Sequence, residues 1–194
     1  MEISQLAEQL RRFSPWNEQE ARDQSELLRR LDSGEALLTR DNPSAHLTAS
    51  AWVVNPRRDR VLMAYHNLYG SWAWLGGHAD GDADLAAVAL REVQEESGAE
   101  PLRLVCPDIF SVEILGVNGH EKRGRYVSSH LHLNLTYLIE ADDTRPVRCK
   151  PDENSQVGWF TLDEAVRASA ESWYQERIYR KLNEKLRAWT SAHP

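Results

Sequence analysis

Glu92, Glu95 and Glu96 lie three and four positions apart, counted from Glu92. At about 100° per residue, that spacing puts all three carboxylates on one side of a helix. Like charges so placed repel one another and raise one another's pKa values unless a cation lies between them. A hard divalent ion, which prefers oxygen ligands, suits such a set. The competing reading is a solvated acidic helix face on which Arg91 pairs with Glu95 across one turn.

The flanking residues bear on that choice. Gly76-Gly77 stands just before the acidic stretch, where glycine lets the backbone approach a ligand and adopt positive φ. Asp80-Gly81-Asp82 forms an acidic loop leading into a helix predicted over 84–97, with Leu85, Val88, Ala89 and Val93 on its apolar face and Gly98 as its stop. Upstream, Ile3, Leu6 and Leu10 predict one helix. Ser14-Pro15-Trp16 breaks it, and Asn17 with Glu20 gives capping-box spacing for a second helix that stops at Ser33-Gly34. Strands are expected over 46–55 and 61–65 as a hairpin, near 111–115, over 130–140 and over 156–160. In 130–140, Leu131, Leu133, Leu135 and Tyr137 alternate with His130, His132, Asn134 and Thr136, as in a half-buried or site-lining strand. Thr161 and Glu164 form another capping box. A final helix over 172–189 carries Trp173, Ile178, Leu182, Leu186 and Trp189 as its apolar stripe.

A glycine turn, an acidic loop and a three-carboxylate helix in tandem resemble the box GX5EX7REUXEEXGU of the Nudix hydrolase family. Gly77 takes the first glycine position, Arg91 and Glu92 the RE pair, and Val93 the aliphatic. Glu95 and Glu96 take the EE pair, Gly98 the last glycine, and Ala99 the final aliphatic slot. The first glutamate of the box is replaced by Ala83, flanked by Asp82 and Asp84. Either aspartate is a candidate substitute carboxylate, and Asp82 is equally a candidate helix N-cap.

This resemblance implies an α/β fold, an α/β/α sandwich with a mixed central sheet. It places an N-terminal helical extension at 1–40 and the Nudix-like hydrolase domain at 41–194. It also implies metal-dependent hydrolysis of a phosphoanhydride in a nucleoside diphosphate linked to another moiety, with Mg²⁺ or Mn²⁺ as cofactor. Glu92, Glu95, Glu96 and the Gly77 carbonyl would be the metal ligands, and Arg91 would orient the carboxylates. Glu92 is the first choice of general base and Glu153, on the 150–154 turn, the second. The alternative is a nucleotide-derivative binding protein that kept the fold and lost activity at Ala83.

The remaining candidates are weaker. His78 could hydrogen-bond a phosphate or cap its loop, and metal ligation is not expected of it. His130 and His132 point the same way on one strand, but no Cys or His nearby in sequence completes a zinc set. They are read as lining a cleft or facing solvent. His120, Lys122, Arg123 and Arg125 form the most basic loop, either a phosphate clamp or a solvated hairpin tip. Trp72 is a candidate to stack on a base or sugar. Cys106 and Cys149 form no CxxC pair and are read as buried or partly buried thiols. With 41% apolar and 27% charged residues in 194, the chain is neither disordered nor a disulfide-built miniature. No apolar run reaches the roughly 18 residues of a membrane span, and no signal segment follows the polar start, so a cytoplasmic protein is expected. The net charge of −7 disfavours nucleic acid as the partner and is compatible with a small phosphorylated ligand held through a cation. The N-terminal helices are a candidate homodimer interface.

Overall fold

The computed structural model describes residues 1–122 and 124–193. They form an α/β protein that divides into two compact units. The first comprises Met1–Ser50, Gly76–Ala89 and Pro107–Tyr137, and the second Ala51–Leu75, Leu90–Cys106 and Leu138–Pro194.

In the first unit, α1 (Ile3–Arg12) buries Leu6 and Leu10, the stripe expected of it. Helix α2 (Glu18–Asp32) starts at Asn17, whose side chain accepts from the Glu20 amide at 2.9 Å. The capping is not reciprocal, because the Glu20 carboxylate instead accepts from the Trp16 amide at 2.7 Å. Strand β1 (Ala45–Val54) begins here and is buried along its whole length. Leu47, Ala49, Ala51 and Val53 alternate along it with His46, Thr48, Ser50 and Trp52, and both sets are buried because both faces are covered.

The second unit receives the end of β1. Val53 and Val54 pair with Leu62 and Val61 of β2 (Arg60–His66), the hairpin expected from sequence. Its turn is held by Asn55, whose amide donates to Asp59 and Asp143 at 2.7 and 3.0 Å. Strand β3 (Ser71–Ala73) also pairs with β2.

The short strand β4 (Leu75–His78) carries the glycine pair. A Cβ on Gly76 would lie 2.7 Å from Ser50 Cα and also meet the Ala49 carbonyl oxygen, so this glycine is required by close backbone approach. Helix α3 (Leu85–Ser97) buries Leu85, Val88, Ala89 and Val93 as anticipated, and Gly98 ends it at φ +63. Its first residue is preceded by Asp84, which accepts from the Ala87 amide at 3.2 Å, while Asp82 accepts from the Asp84 amide at 2.8 Å. The N-cap is therefore Asp84 rather than Asp82.

Strand β5 (Leu102–Leu104), in the second unit, pairs with the end of β9 (His130–Ala141). In the first unit, β6 (Ser111–Val117) pairs with the start of β9 from Ser111↔Thr136 to Val117↔His130. The basic segment is a hairpin of β7 (His120–Lys122) and β8 (Arg125–Val127), and Arg123 lies outside the described residues. The polar side of β9 is not solvated at Asn134 and Thr136, which are as buried as Leu133 and Leu135.

What buries them is a polar network. Asn134 and Thr136 donate to Glu113 Oε2 at 3.0 and 2.9 Å, and Thr48 and Ser50 donate to Asn134 Oδ1 at 3.0 and 2.8 Å. Ser111 Oγ donates to Glu20 Oε1 at 2.6 Å and also contacts Glu113 Oε1. Glu20 and Glu113 have no solvent exposure. Helix α2 is thus fastened to β6 through buried, partnered carboxylates, with the Ile114 amide donating to Asp23 at 3.1 Å.

The remainder of the second unit follows the expected strand-then-helix ending. Strand β10 (Asn154–Thr161) pairs along β2, and α4 (Leu162–Ala168) begins with the reciprocal Thr161–Glu164 capping box. The last helix is not continuous: α5 (Ser172–Tyr174) passes through a π-helical stretch, Gln175–Tyr179, into α6 (Arg180–Ala192). That extra residue per turn rotates the stripe, so Ile178, Tyr179, Leu182 and Leu186 are buried while Trp173 is exposed. Among the described residues no helix is long and apolar enough to cross a membrane.

Removing the Ser111 hydroxyl strips a donor from buried carboxylates. Ser111→Ala should cost about 2 kcal/mol of unfolding free energy in a urea titration, and an unchanged midpoint would refute this account of how α2 is held.

Candidate active site

The carboxylates of α3 and the turn before β10 meet in the second unit. Glu95, exposed on α3, pairs with Lys150 Nζ at 3.3 Å, and Lys150 also pairs with Glu153 at 3.1 Å. The cation beside Glu95 thus comes from a loop 55 positions away in sequence, a partner that the reading of Arg91 did not anticipate. Burial works against the Lys150 charge, yet its bonds to Glu153 and Glu95 hold the ammonium above its ordinary value.

Glu92 is half-buried on the same helix. Burial first, then the charges of Glu95 and Glu153, push its carboxyl above the ordinary range, and Lys150 and Arg91 offset only part of that. Glu96 is buried, and the carbonyl of its own residue accepts from the Asn154 side chain at 3.0 Å. Asn154 also accepts from the Lys150 amide at 3.1 Å, so one buried side chain fixes the 150–154 turn against α3. The end of the helix is held likewise: the Arg148 amide donates to the Ser97 carbonyl at 2.8 Å, and a Cβ on Gly98 would lie 2.6 Å from Arg148 Nε. Glycine is favoured there by its positive φ, and a side chain would also have to displace Arg148.

Glu92, Glu95, Glu96, Arg91 and Glu153 therefore all belong to the second unit, and Lys150 gathers Glu95 and Glu153 beside Glu92. Gly77, on β4, belongs to the first unit. Ala83 is buried in that unit, and the flanking aspartates already accept from backbone amides. Lys150 was missed because nothing local marks it, although it stands in the same Lys-Pro-Asp-Glu-Asn turn that singled out Glu153.

Hard oxygen donors with an excess of negative charge fit a divalent ion such as Mg²⁺. The raised Glu92 pKa reflects burial first and, after it, the neighbouring negative charge.

Other candidates fall elsewhere. Trp72 is half-buried and edge-on to Tyr65 and Phe160, with ring centroids 5.7 and 4.7 Å away. Cys149 is exposed rather than buried, since its segment has no regular structure, and Cys106 is partly buried; both are free thiols. In the first unit, His130 and His132 do not face solvent. They meet His46, which lies 84 positions before His130, and His78. The sequence offered no local partner for the pair because that partner arrives on another strand. Burial first, then His78, His46, His130 and His120, depress the His132 pKa to about 2.

The NUDIX domain model matches residues 44–182. The chain therefore belongs to the NUDIX family. A curated relative, the CMP-5'-(N-acetyl-N-hydroxy-3-aminopropyl)phosphonate hydrolase of Streptomyces rubellomurinus, is 30% identical over 124 residues, covering 61% of this chain. The matched region spans 53% of that relative's length, about half. The fold is similar to that of a C. elegans Ap4A hydrolase in a binary complex, with TM-score 0.53, 18% identity, and coverage of 75% of this chain and 98% of that one. It is also similar to a NUDIX-family hydrolase from Clostridium perfringens, with TM-score 0.52, 19% identity, and coverage of 74% and 97%.

Because the folded state raises the Glu92 pKa, its contribution to stability is full below the unfolded pKa and is lost as pH rises through the folded one. Glu92→Gln should raise the Tm of the EDTA-treated chain by about 2 °C at neutral pH. The gain should vanish as pH falls into the carboxylate range. Scanning fluorimetry over a pH series checks both, and a gain that persisted in acid would exclude charge as its cause.

Proposed function

We propose that the chain is a metal-dependent pyrophosphohydrolase acting on a nucleoside diphosphate, or a similar phosphorylated nucleotide, joined to another moiety. The observation that carries the reading is the carboxylate cluster: Glu92 with a raised pKa, and Glu95 and Glu153 sharing Lys150. Membership of the NUDIX family and the nucleotide conjugate in the relative's name support it.

Glu92, Glu95 and Glu96 would hold Mg²⁺ or Mn²⁺, and Arg91 would orient their carboxylates. A divalent ion held there would neutralise diphosphate charge and supply a bound water of lowered pKa. Glu92 would take the proton from the attacking water. Glu153 is the alternative base, and its pairing with Lys150 keeps it beside the box carboxylates. Asn154 keeps the turn in register with α3.

A second reading, a binding protein without turnover, has its own support. The box position at Ala83 is apolar and buried, and the adjacent aspartates are engaged by the backbone.

A panel of nucleoside diphosphate derivatives and a cytidine nucleotide–phosphonate conjugate, with and without Mg²⁺ or Mn²⁺, separates the two. Metal-dependent cleavage of a phosphoanhydride-type bond, with products identified by mass spectrometry, supports hydrolysis. Metal-dependent binding without products supports the second reading. Glu95→Gln and Glu96→Gln should each lower turnover by about 100-fold or more while circular dichroism stays unchanged; wild-type rates in both would remove the metal assignment. Glu153→Gln should leave most of the turnover if Glu92 is the base, and a loss as deep as that of Glu92→Gln would move the role to Glu153.

A further inference from the structure

Five of the chain's seven histidines gather in the first unit, apart in chemistry from the carboxylates above. His46, on β1, and His130 and His132, at the start of β9, form a nearly equilateral triangle with ring centroids 4.9, 5.1 and 5.0 Å apart. One nitrogen from each lies within 4.8 Å of the other two. His78 packs against two of the three rings, 5.1 Å from His46 and 4.9 Å from His132, and His120 stands 6.4 Å from His130.

The tautomers follow from the partners. His46 Nδ1 faces the Asn42 carbonyl at 3.3 Å, and His130 Nδ1 faces the Ser128 carbonyl at 2.8 Å. A carbonyl oxygen only accepts, so both Nδ1 atoms carry the proton and donate. Both Nε2 atoms are then left with a lone pair. His46 is only 5% exposed, and its Nε2 is buried with no hydrogen-bond partner. A buried acceptor without a donor costs free energy and is uncommon in a native fold. His130 Nε2 lies 3.2 Å from His132 Nε2, so in the metal-free chain His132 must donate to it.

We propose that His46, His130 and His132 form a second metal site that takes a borderline divalent transition-metal ion, Zn²⁺ by its donor set, with a fourth position open. Imidazole nitrogens suit Zn²⁺ and are poor ligands for Mg²⁺. Zn–N bonds of about 2.0–2.1 Å at tetrahedral angles place neighbouring nitrogens roughly 3.3 Å apart. The His130–His132 separation already matches this, and a His46 nitrogen lies within 4.8 Å of both. An ion there would give the orphaned His46 Nε2 its partner. Two of the three ligands already have the outer partner that metal-bound histidines commonly show, an Nδ1–H donated to a backbone carbonyl, which orients the ring and raises the basicity of the other nitrogen. An anion is disfavoured, because it would meet lone pairs rather than N–H groups at His46 and His130. Asp80, whose charge reaches His46, is engaged by Arg40 at 2.9 Å, and the grouped ligand atoms are those of the three histidines. Three protein nitrogens would leave one position for a water or a ligand oxygen. Binding through Nε2 would move the His132 proton from Nε2 to Nδ1, a change of tautomer without net proton release.

The test uses the full chain and the metals alone, and it does not depend on hydrolysis. Zn²⁺ binding is measured by calorimetry, and Co²⁺ binding by the visible absorption that tetrahedral nitrogen ligation makes intense. Wild type should bind one equivalent with that Co²⁺ signature. Glu95→Gln/Glu96→Gln should keep it, which separates this site from the box carboxylates whatever their role. His46→Gln and His132→Gln should each weaken it at least 10-fold. His132 is the less buried of the two, so its variant guards against loss of fold in the other, and far-UV circular dichroism is recorded for both. No bound equivalent in wild type, an equivalent unchanged in both histidine variants, or one lost in the carboxylate variant would each overturn the proposal.

Discussion

Repulsion among carboxylates on and beside α3 is the constraint around which the second unit is arranged. Glu92 is partly withdrawn from water, and Glu95 and Glu153 lie close enough to raise its pKa. The fold answers with one cation, Lys150, carried on a turn that Asn154 ties to the helix backbone. A lysine is a compact point charge on a flexible stem, so it can neutralise two acids at once without fixing their geometry. The rigid parts of the arrangement are the Asn154 contacts, the Arg148 contact at the helix end and the apolar face of α3.

The first unit solves a different electrostatic problem. Glu20 and Glu113 are wholly buried, yet both are bonded to hydroxyl or amide donors from Ser111, Thr136, Asn134 and Trp16. Burial of charge is tolerable when each oxygen is met in this way. The network makes the N-terminal helix α2 part of the unit's interior chemistry. It also explains why the polar side of β9 carries Asn and Thr where a conventional strand would face water.

At the start of that same strand the pattern changes from hydroxyl and amide to imidazole. His130 and His132 continue the polar side of Asn134 and Thr136, and His46 continues that of Thr48 and Ser50. Two neighbouring strands thus carry polar stripes that meet twice. Further along they satisfy one another by hydrogen bonds. At the histidines they leave a buried lone pair on His46. The same packing logic therefore yields a closed network in one place and an open donor set in the other.

The sequence alone determined the local elements and the box. Helical periodicity placed α3 and its buried face, the Asn17 and Thr161 caps placed two helix starts, and glycine with its neighbours placed the turns, because each depends on residues within a few positions. It also supplied Glu92, Glu95 and Glu96 on one side of a helix, since that follows from spacing. Tertiary structure decided whatever depends on residues far apart in the chain. It gave Glu95 and Glu153 their common cation, assigned the N-cap to Asp84, covered both faces of β1, and turned the stripe of the last helix through a π-helical stretch that exposes Trp173. Above all, it brought His46 to His130 and His132. An i, i+2 pair shows only that two side chains point the same way. Which third ligand meets them is set by strand packing, and no local spacing records that.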